Sequence, residues 1–232
     1  MIIGNGFMAN GFRNMDRDDI IVFASGVSNS KLTDKEQFQR EEHILTKALS
    51  DNGSKRTIIY FSTYSINDPS VASETYISHK KAMETYIQSS ASRYLILRTS
   101  NIIGRSYNPF TITNYLYNKI AAGEQFELWI NAYRNLLDIE HLYRMVEQLL
   151  KEGIVNEMVY LVCPVEYHIL TITKALCSIT KKEAYYREIE KGSCFEYDRS
   201  LSARLFTQLK ISPENYLETL LKKYYLDQTR QA

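Results

Sequence analysis

The chain has 232 residues, with 28 basic and 27 acidic side chains and a net charge of +1. That is room for one large domain, or one domain with a small appendage, and a sizeable core, without the charge excess of a nucleic-acid-binding surface. No apolar run reaches the ~18 residues of a membrane span, and no signal-peptide pattern opens the chain. Cys163, Cys177 and Cys194 lack metal-ligand spacing and the four histidines are scattered. Reduced thiols in a cytoplasmic protein, with no metal site, are the expectation.

Met1 to Ile3 reads as a short strand, and Gly4-Asn5-Gly6-Phe7-Met8-Ala9 follows at once. This fits G-x-G-x-x-A. The first glycine allows a tight turn and the second lets backbone approach a pyrophosphate. A small third residue lets helix pack on strand, with the helix N-terminus facing the phosphates. Gly4, Gly6, Phe7 and Met8 are therefore candidate dinucleotide contacts. Only Asn10 to Asp18 precede the next strand, Asp19 to Ala24, too few for two further strands and a crossover that by itself takes about a dozen residues.

The strand is followed by Ser25-Gly26-Val27-Ser28, then by an amphipathic helix from Asp34 to Leu49 with Phe38, Glu42, Leu45 and Leu49 on one face. Thr57 to Phe61 is the next strand, with Ser62-Thr63-Tyr64-Ser65 at its end and a polar loop through Asn67, Asp68 and Pro69. A helical segment carries Tyr76 and Lys80, and Tyr94 to Arg98 is another strand. Strand–helix–strand alternation predicts a parallel sheet.

Residues four apart share a helix face, so Tyr76 and Lys80 can address one space. A phenol with a pKa of about 10 is a poor base near neutrality; an adjacent ammonium lowers that value. A hydroxyl at the strand end can hold the oxygen whose proton Tyr76 moves. The spacing alone is weak evidence, since Tyr115 and Lys119 repeat it. Strand and hydroxyls before the first copy, and strand and Asn101 after it, set it apart; the second reads as ordinary helix surface.

Beyond Gly104, Arg105 to Pro109 is a loop, Thr111 to Ala122 a helix ending at Gly123, and Phe126 to Ile130 a strand. At Arg134 to Leu142 a strand hands over to a helix that Asp138 caps. Met158 to Cys163 and Ala184 to Ile189 read as strands. Thr171 to Ile179, Ser200 to Leu209 and Pro213 to Tyr225 read as helices, before a polar tail.

The unit from Thr57 to Gly104 resembles the active-site region of the extended short-chain dehydrogenase/reductases, the nucleotide-sugar epimerases, dehydratases and reductases. Thr63 matches that family's active-site Ser/Thr, and Tyr76 and Lys80 match its Tyr-x-x-x-Lys. Arg98-Thr99-Ser100-Asn101-Ile102-Ile103-Gly104 is similar to its strand-end segment, and Arg134 to Asp138, with one residue fewer between its ends, to its Arg-x-x-x-x-Asp. The resemblance implies an α/β Rossmann-like parallel sheet lacking some N-terminal strands. Residues 1–104 would form the cofactor-binding core, and 105–232 a substrate lobe interleaved with the last core strands.

It also implies NAD or NADP as cofactor, a nucleotide-sugar substrate and catalytic Thr63, Tyr76 and Lys80. Tyr76 and Lys80 would contact the cofactor too, with Ser25 and Gly26 beside its ribose. Asn101 and Arg134 would bind substrate, Arg134 at the diphosphate. A homodimer is implied, with neither nucleic acid nor membrane as partner. The family has a helix, two strands and a crossover where this chain has Asn10 to Asp18, so the adenine side is expected to be thin. No acidic residue stands ready for the adenosine ribose; Arg13 and Arg17 are open to a 2′-phosphate or to solvent. Tyr64 and Ser65 stand where dehydratases carry an acidic pair, which leaves reductase or epimerase. The alternative is a member of this fold without turnover, serving as a binding or scaffolding subunit.

Overall fold

The computed structural model describes residues 1–27, 35–52, 56–69, 71, 74–106 and 108–226. Ser28, Asp34, Tyr107 and the polar tail from Asp227 lie outside the described residues. In chain order the elements begin with β1 (Ile2–Ile3), α1 (Phe7–Gly11), β2 (Ile20–Phe23), α2 (Lys35–Asn52), β3 (Thr57–Thr63), α3 (Thr75–Ser90) and β4 (Tyr94–Thr99). Then come β5 (Asn101–Ile103), α4 (Ile112–Ala122), β6 (Phe126–Trp129), β7 (Tyr133–Asp138), α5 (Ile139–Lys151) and β8 (Glu157–Leu161). The last are β9 (Glu166–His168), α6 (Ile169–Thr180), β10 (Tyr186–Ile189), α7 (Ser200–Gln208) and α8 (Tyr216–Tyr225).

The chain forms two compact units. The first comprises Met1–Thr99 and Leu142–Leu161 and holds a parallel sheet in the order β1-β2-β3-β4-β8. Its inner strands are apolar on both faces, as a parallel sheet covered on both sides requires; all four residues of β2 are buried. One face packs Phe23, Tyr60 and Ile96 against Leu45 and Ala48 of α2 and Met83 and Ile87 of α3. Each such apolar side chain contributes about 2 kcal/mol on burial. Phe12, fully buried, lies edge-on to Phe61 at 4.9 Å between ring centroids and 5.7 Å from Tyr143 of α5.

The strand order runs in one direction from β1 to β8. A doubly wound sheet reverses its order at the point where ligands bind; among the described residues nothing pairs with the far side of β1. In place of two further strands, the stretch after α1 is a single 3-10 turn, Arg13–Met15, which buries Met15. The shortened segment thus lays Phe12 against Phe61, buries Met15 and builds no second half-sheet.

The second unit, Ser100–His141 and Val162–Ala232, carries two small sheets. β5 pairs in parallel with β7 and β7 antiparallel with β9, while β6 pairs in parallel with β10. Gly123 ends α4 in the left-handed region at φ 67°, as the C-cap reading requires. Asp138 accepts the Glu140 N–H at 2.9 Å, the expected cap. Its buried carboxylate also takes the Tyr224 hydroxyl at 2.8 Å and Lys223 Nζ at 2.9 Å, tying α8 to β7.

Three expectations change. The buried stripe of α2 is Phe38, Glu41, Leu45 and Ala48, and Glu42 is exposed: the helical period places the carboxylate one residue earlier. The last helix begins at Tyr216 instead of Pro213, because Asn215 takes a left-handed conformation with φ 51°. The strand β9 had no signal of its own, being three half-buried residues whose strand pairing is with β7 alone.

Candidate active site

Parallel strands end on the same edge of their sheet, so Gly4 after β1, Ala24 to Gly26 after β2 and Thr63 at the end of β3 share one edge of the first unit. Gly4 has φ 123°, and a Cβ on it would lie 2.6 Å from the Ala24 carbonyl oxygen. Both the conformation and the close approach require glycine. A Cβ on Gly6 would meet nothing within 4 Å. Gly6 therefore faces open space where a ligand phosphate could lie against backbone, and it caps α1 without a side-chain hydrogen bond. α1 itself is only five residues long, so its summed dipole is small. The N–H groups of Phe7 and Met8 would do more here than any helix field.

These residues fit the pyrophosphate of a dinucleotide; the adenosine end has less. Arg17 is engaged by Asp19 through two hydrogen bonds at 2.9 and 2.6 Å, and Arg13 donates to Asn10 at 2.6 Å.

α3 carries three polar groups on its buried face. Tyr76, Ile77, Lys80, Met83, Glu84 and Ile87 are all buried, and the three polar ones recur every four residues, facing the sheet in line. Each has a partner. The Thr63 hydroxyl lies close enough to that of Tyr76 to draw its pKa down a little, and it accepts the Ser65 N–H at 3.2 Å. Glu84 takes Arg98 of β4 through two bonds at 3.0 and 2.7 Å, and Arg98 reaches the Tyr160 hydroxyl at 3.1 Å. Tyr160 in turn accepts from Asn67 at 2.9 Å, which braces the loop after Thr63.

Lys80 is 2% exposed and ends in a closed network. Its Nζ donates to Glu41 Oε1 at 3.0 Å, to the Tyr60 hydroxyl at 3.0 Å and to the Phe61 carbonyl at 3.5 Å. Tyr60 donates to the same Glu41 oxygen at 2.6 Å, and the Val27 N–H donates to Glu41 Oε2, also at 2.6 Å. His79 Nε2 lies 3.1 Å from Oε2, an ion-pair distance, though its ring N–H is not aligned as a hydrogen bond. An ammonium has three donors, and all three are committed.

The electrostatics follow from this. Burial alone would raise the Glu41 pKa, but Lys80, His79, Tyr60 and the Val27 N–H outweigh it and hold the carboxyl at about 2. Tyr76 moves the other way. Burial first, and then the charge of Glu41, push its hydroxyl above the ordinary phenol value, while Thr63 pulls it back a little. Lys80, expected to make Tyr76 the more acidic, is paired with a buried carboxylate at 3.0 Å.

Gly26 adjoins this pair, for a Cβ there would sit 3.0 Å from Lys80 Nζ and 3.1 Å from Glu41 Oε1. The Ser25 carbonyl accepts from Arg40 at 3.2 Å. In the second unit, Asn101 Nδ2 donates to the Asn135 carbonyl at 3.0 Å and joins β5 to β7. The Arg134 guanidinium folds onto the Tyr133 carbonyl at 2.7 Å. Burial pushes the Cys163 thiol up to about 11, which makes it inert.

Glu41, Tyr60 and His79 were not anticipated. The signal for Glu41 lay in its spacing from Phe38 and Leu45, which puts a carboxylate on an apolar stripe.

Solved structures share this architecture. UDP-glucuronic acid 4-epimerase from Bacillus cereus, in complex with UDP-glucuronic acid and NAD, superposes with a TM-score of 0.73 at 17% identity, over 98% of this chain and 79% of that one. RMD from Pseudomonas aeruginosa, complexed with NADPH, gives 0.70 at 19% identity, over 92% and 82%. UDP-glucose 4-epimerase from Thermus thermophilus, in complex with NAD, gives 0.68 at 13% identity, over 97% and 81%. This chain has the fold of the extended short-chain dehydrogenase/reductases. No protein-family model matches it, and no curated protein matches it by sequence. The extended short-chain fold is therefore present at a sequence distance where only architecture carries over.

Proposed function

We infer that the protein is an NAD(P)-dependent reductase or epimerase acting on a nucleotide-activated sugar. The observation that carries this is the juxtaposition of Tyr76, buried on α3, with Thr63 at the end of β3, on the sheet edge that also holds Gly4 and the open face of Gly6. The bound dinucleotide would give or take the hydride. Thr63 would hold the reacting oxygen and Tyr76 would move its proton. Gly4, Gly6, Phe7 and Met8 would meet the pyrophosphate; Ser25, Gly26, Tyr76 and Lys80 would meet the ribose and nicotinamide end. Asn101 and Arg134 would bind the sugar nucleotide, each exchanging its present backbone partner for substrate. No helix among the described residues is long and apolar enough to cross a membrane, and we place the enzyme in the cytoplasm, as a homodimer.

A second reading is a binding or scaffolding subunit that has kept the fold and lost turnover. The single-direction strand order and the fully committed Lys80 donors favour it. Calorimetric titration with NADH and NADPH separates the two. Micromolar binding of either, followed by turnover in a nucleotide-sugar screen that Tyr76→Phe lowers by about 10²–10⁴-fold, supports the enzyme. Absence of binding at millimolar cofactor refutes it and leaves the scaffold.

A further inference from the structure

We propose that the cofactor site recognises one nucleotide of the dinucleotide, the nicotinamide mononucleotide half, and leaves the adenosine half in solvent. NADH, NADPH and dinucleotides with another base in place of adenine are then taken alike. The inference rests on the reading of the edge at Gly4 and Gly6 as the seat of a nicotinamide dinucleotide.

The direction in which a dinucleotide would lie follows from the strands. Its reacting end must reach Thr63, at the end of β3, and Tyr76 of α3. Its pyrophosphate would lie over Gly4 and Gly6, which follow β1. β2 stands between β1 and β3, so the nicotinamide half would run from β1 across β2. The adenosine half must then leave β1 on its other side. A doubly wound sheet has its second mononucleotide-binding half there. Here β1 is the edge of the sheet among the described residues. Its two residues are half-buried, whereas all four of β2 are buried.

The stretch after α1 runs away from the edge that carries the glycines. Phe12 and Met15 turn inward and are buried, and Arg17 grips Asp19 through two hydrogen bonds. The Asp19 carbonyl accepts the Thr57 N–H at 3.0 Å, which fixes Asp19 at the starting end of β2 and β3. Gly4 lies at the finishing end, where a Cβ on it would be 2.6 Å from the Ala24 carbonyl oxygen. The length of β2, about 13 Å of extended chain, lies between. Arg17 is therefore on the wrong edge of the sheet for a ribose or a 2′-phosphate. An acidic side chain about 20 residues past the glycines ordinarily takes the ribose hydroxyls. Ala24, Ser25 and Gly26 stand at that distance. None is acidic, and all three follow β2, on the Thr63 side of β1. Arg13, the other cation of the stretch, donates to the Asn10 amide oxygen at 2.6 Å. A part of a ligand that meets water both before and after binding adds no difference in affinity, and so no discrimination.

The test uses the whole protein without substrate, by calorimetry and saturation-transfer NMR. It is run at about 0.15 M salt, where the extra charge of a 2′-phosphate is screened beyond about 8 Å. NADH, NADPH and the reduced dinucleotide with guanine in place of adenine should bind within about fivefold of one another. Reduced nicotinamide mononucleotide should bind at least about tenfold more tightly than AMP, which carries the same single phosphate. In bound NADH the nicotinamide protons should take up more saturation from the protein than the adenine protons. A spread among the three dinucleotides beyond about fivefold, or AMP within about tenfold of the nicotinamide mononucleotide, overturns the proposal and leaves the enzyme reading standing. Adenine protons saturated as strongly as the nicotinamide protons do the same. Should NADPH be the tighter beyond that margin and lose its advantage in Arg13→Ala, Arg13 holds the 2′-phosphate and the proposal falls. If none of these nucleotides binds at millimolar concentration, the enzyme reading falls and the single-nucleotide site with it.

Discussion

The chain carries Tyr-x-x-x-Lys twice, and the two copies show how little the spacing decides. Both lie on helices, Tyr76 and Lys80 on α3 and Tyr115 and Lys119 on α4. In the first, both side chains are buried and the ammonium is shared among a carboxylate, a hydroxyl and a carbonyl. In the second, Tyr115 packs half-buried against Phe126, and Lys119 pairs with exposed Glu124 five residues away. The pattern brings phenol and ammonium to one helix face in each case. Whether chemistry can follow depends on what lies opposite that face. For α3 it is a strand end with hydroxyls and a second helix with a carboxylate; for the lysine of α4 it is solvent.

The contrast is tested most strongly by removing each lysine. Lys80→Met leaves Glu41 fully buried without its counter-ion and is expected to destabilise the fold by about 3–5 kcal/mol, read as a fall in the denaturant midpoint. Lys119→Met removes a solvated pair and should leave the midpoint unchanged. Equal effects would mean that the two copies differ only in appearance.

A somewhat smaller effect lies in the acid limb of stability. The Glu41 carboxyl is held at about 2 in the folded protein, below its unfolded value of about 4.3. A depressed folded pKa contributes stability that is complete above the unfolded value and is lost as pH falls through the folded one. The window is therefore about pH 4.3 down to about 2, and the contribution is on the order of 2–3 kcal/mol. Denaturant midpoints across that window should fall more steeply for the wild type than for Glu41→Gln. Parallel curves would show that no paired carboxylate is present.

Much of this was legible in the chain. The parallel sheet followed from apolar runs alternating with helical stripes. The edge carrying Gly4, Gly6 and Thr63 followed from motif order, because each sits directly after or at the end of a strand. The shortened segment after the glycine motif was legible by length alone, since Asn10 to Asp18 cannot hold two further strands and their crossover. The network behind Lys80 was not, because Glu41 and Tyr60 are 39 and 20 residues from Lys80 in sequence. Only the packing of α2 and α3 on one sheet face unites them. Periodicity came within one residue of Glu41 and chose Glu42, since with an uncertain helix phase the two carboxylates look alike. Asn101 and Arg134 carried a resemblance but no local signal, and in the folded chain both have backbone partners.

The finest distinction concerns two glycines on the same sheet edge, both of them candidate cofactor contacts. A methyl group on Gly26 would press on Lys80 Nζ and Glu41 Oε1 at 3.0 and 3.1 Å. These atoms are side-chain ends, but hydrogen bonds on every side keep them from moving freely. Gly26→Ala should therefore cost about 1–2 kcal/mol, at the low end of overpacking effects. A methyl group on Gly6 would meet nothing, and Gly6 has φ −81°, an ordinary value for alanine. Gly6→Ala should leave stability within about 0.5 kcal/mol while lowering NADH or NADPH affinity at least about tenfold, because the methyl would occupy the space the pyrophosphate needs. If Gly6→Ala binds cofactor as the wild type does, that open face is not the phosphate seat. If Gly26→Ala weakens binding without loss of stability, Gly26 serves the cofactor more than the ion pair, and the division of labour along this edge is the reverse of the one drawn from the geometry.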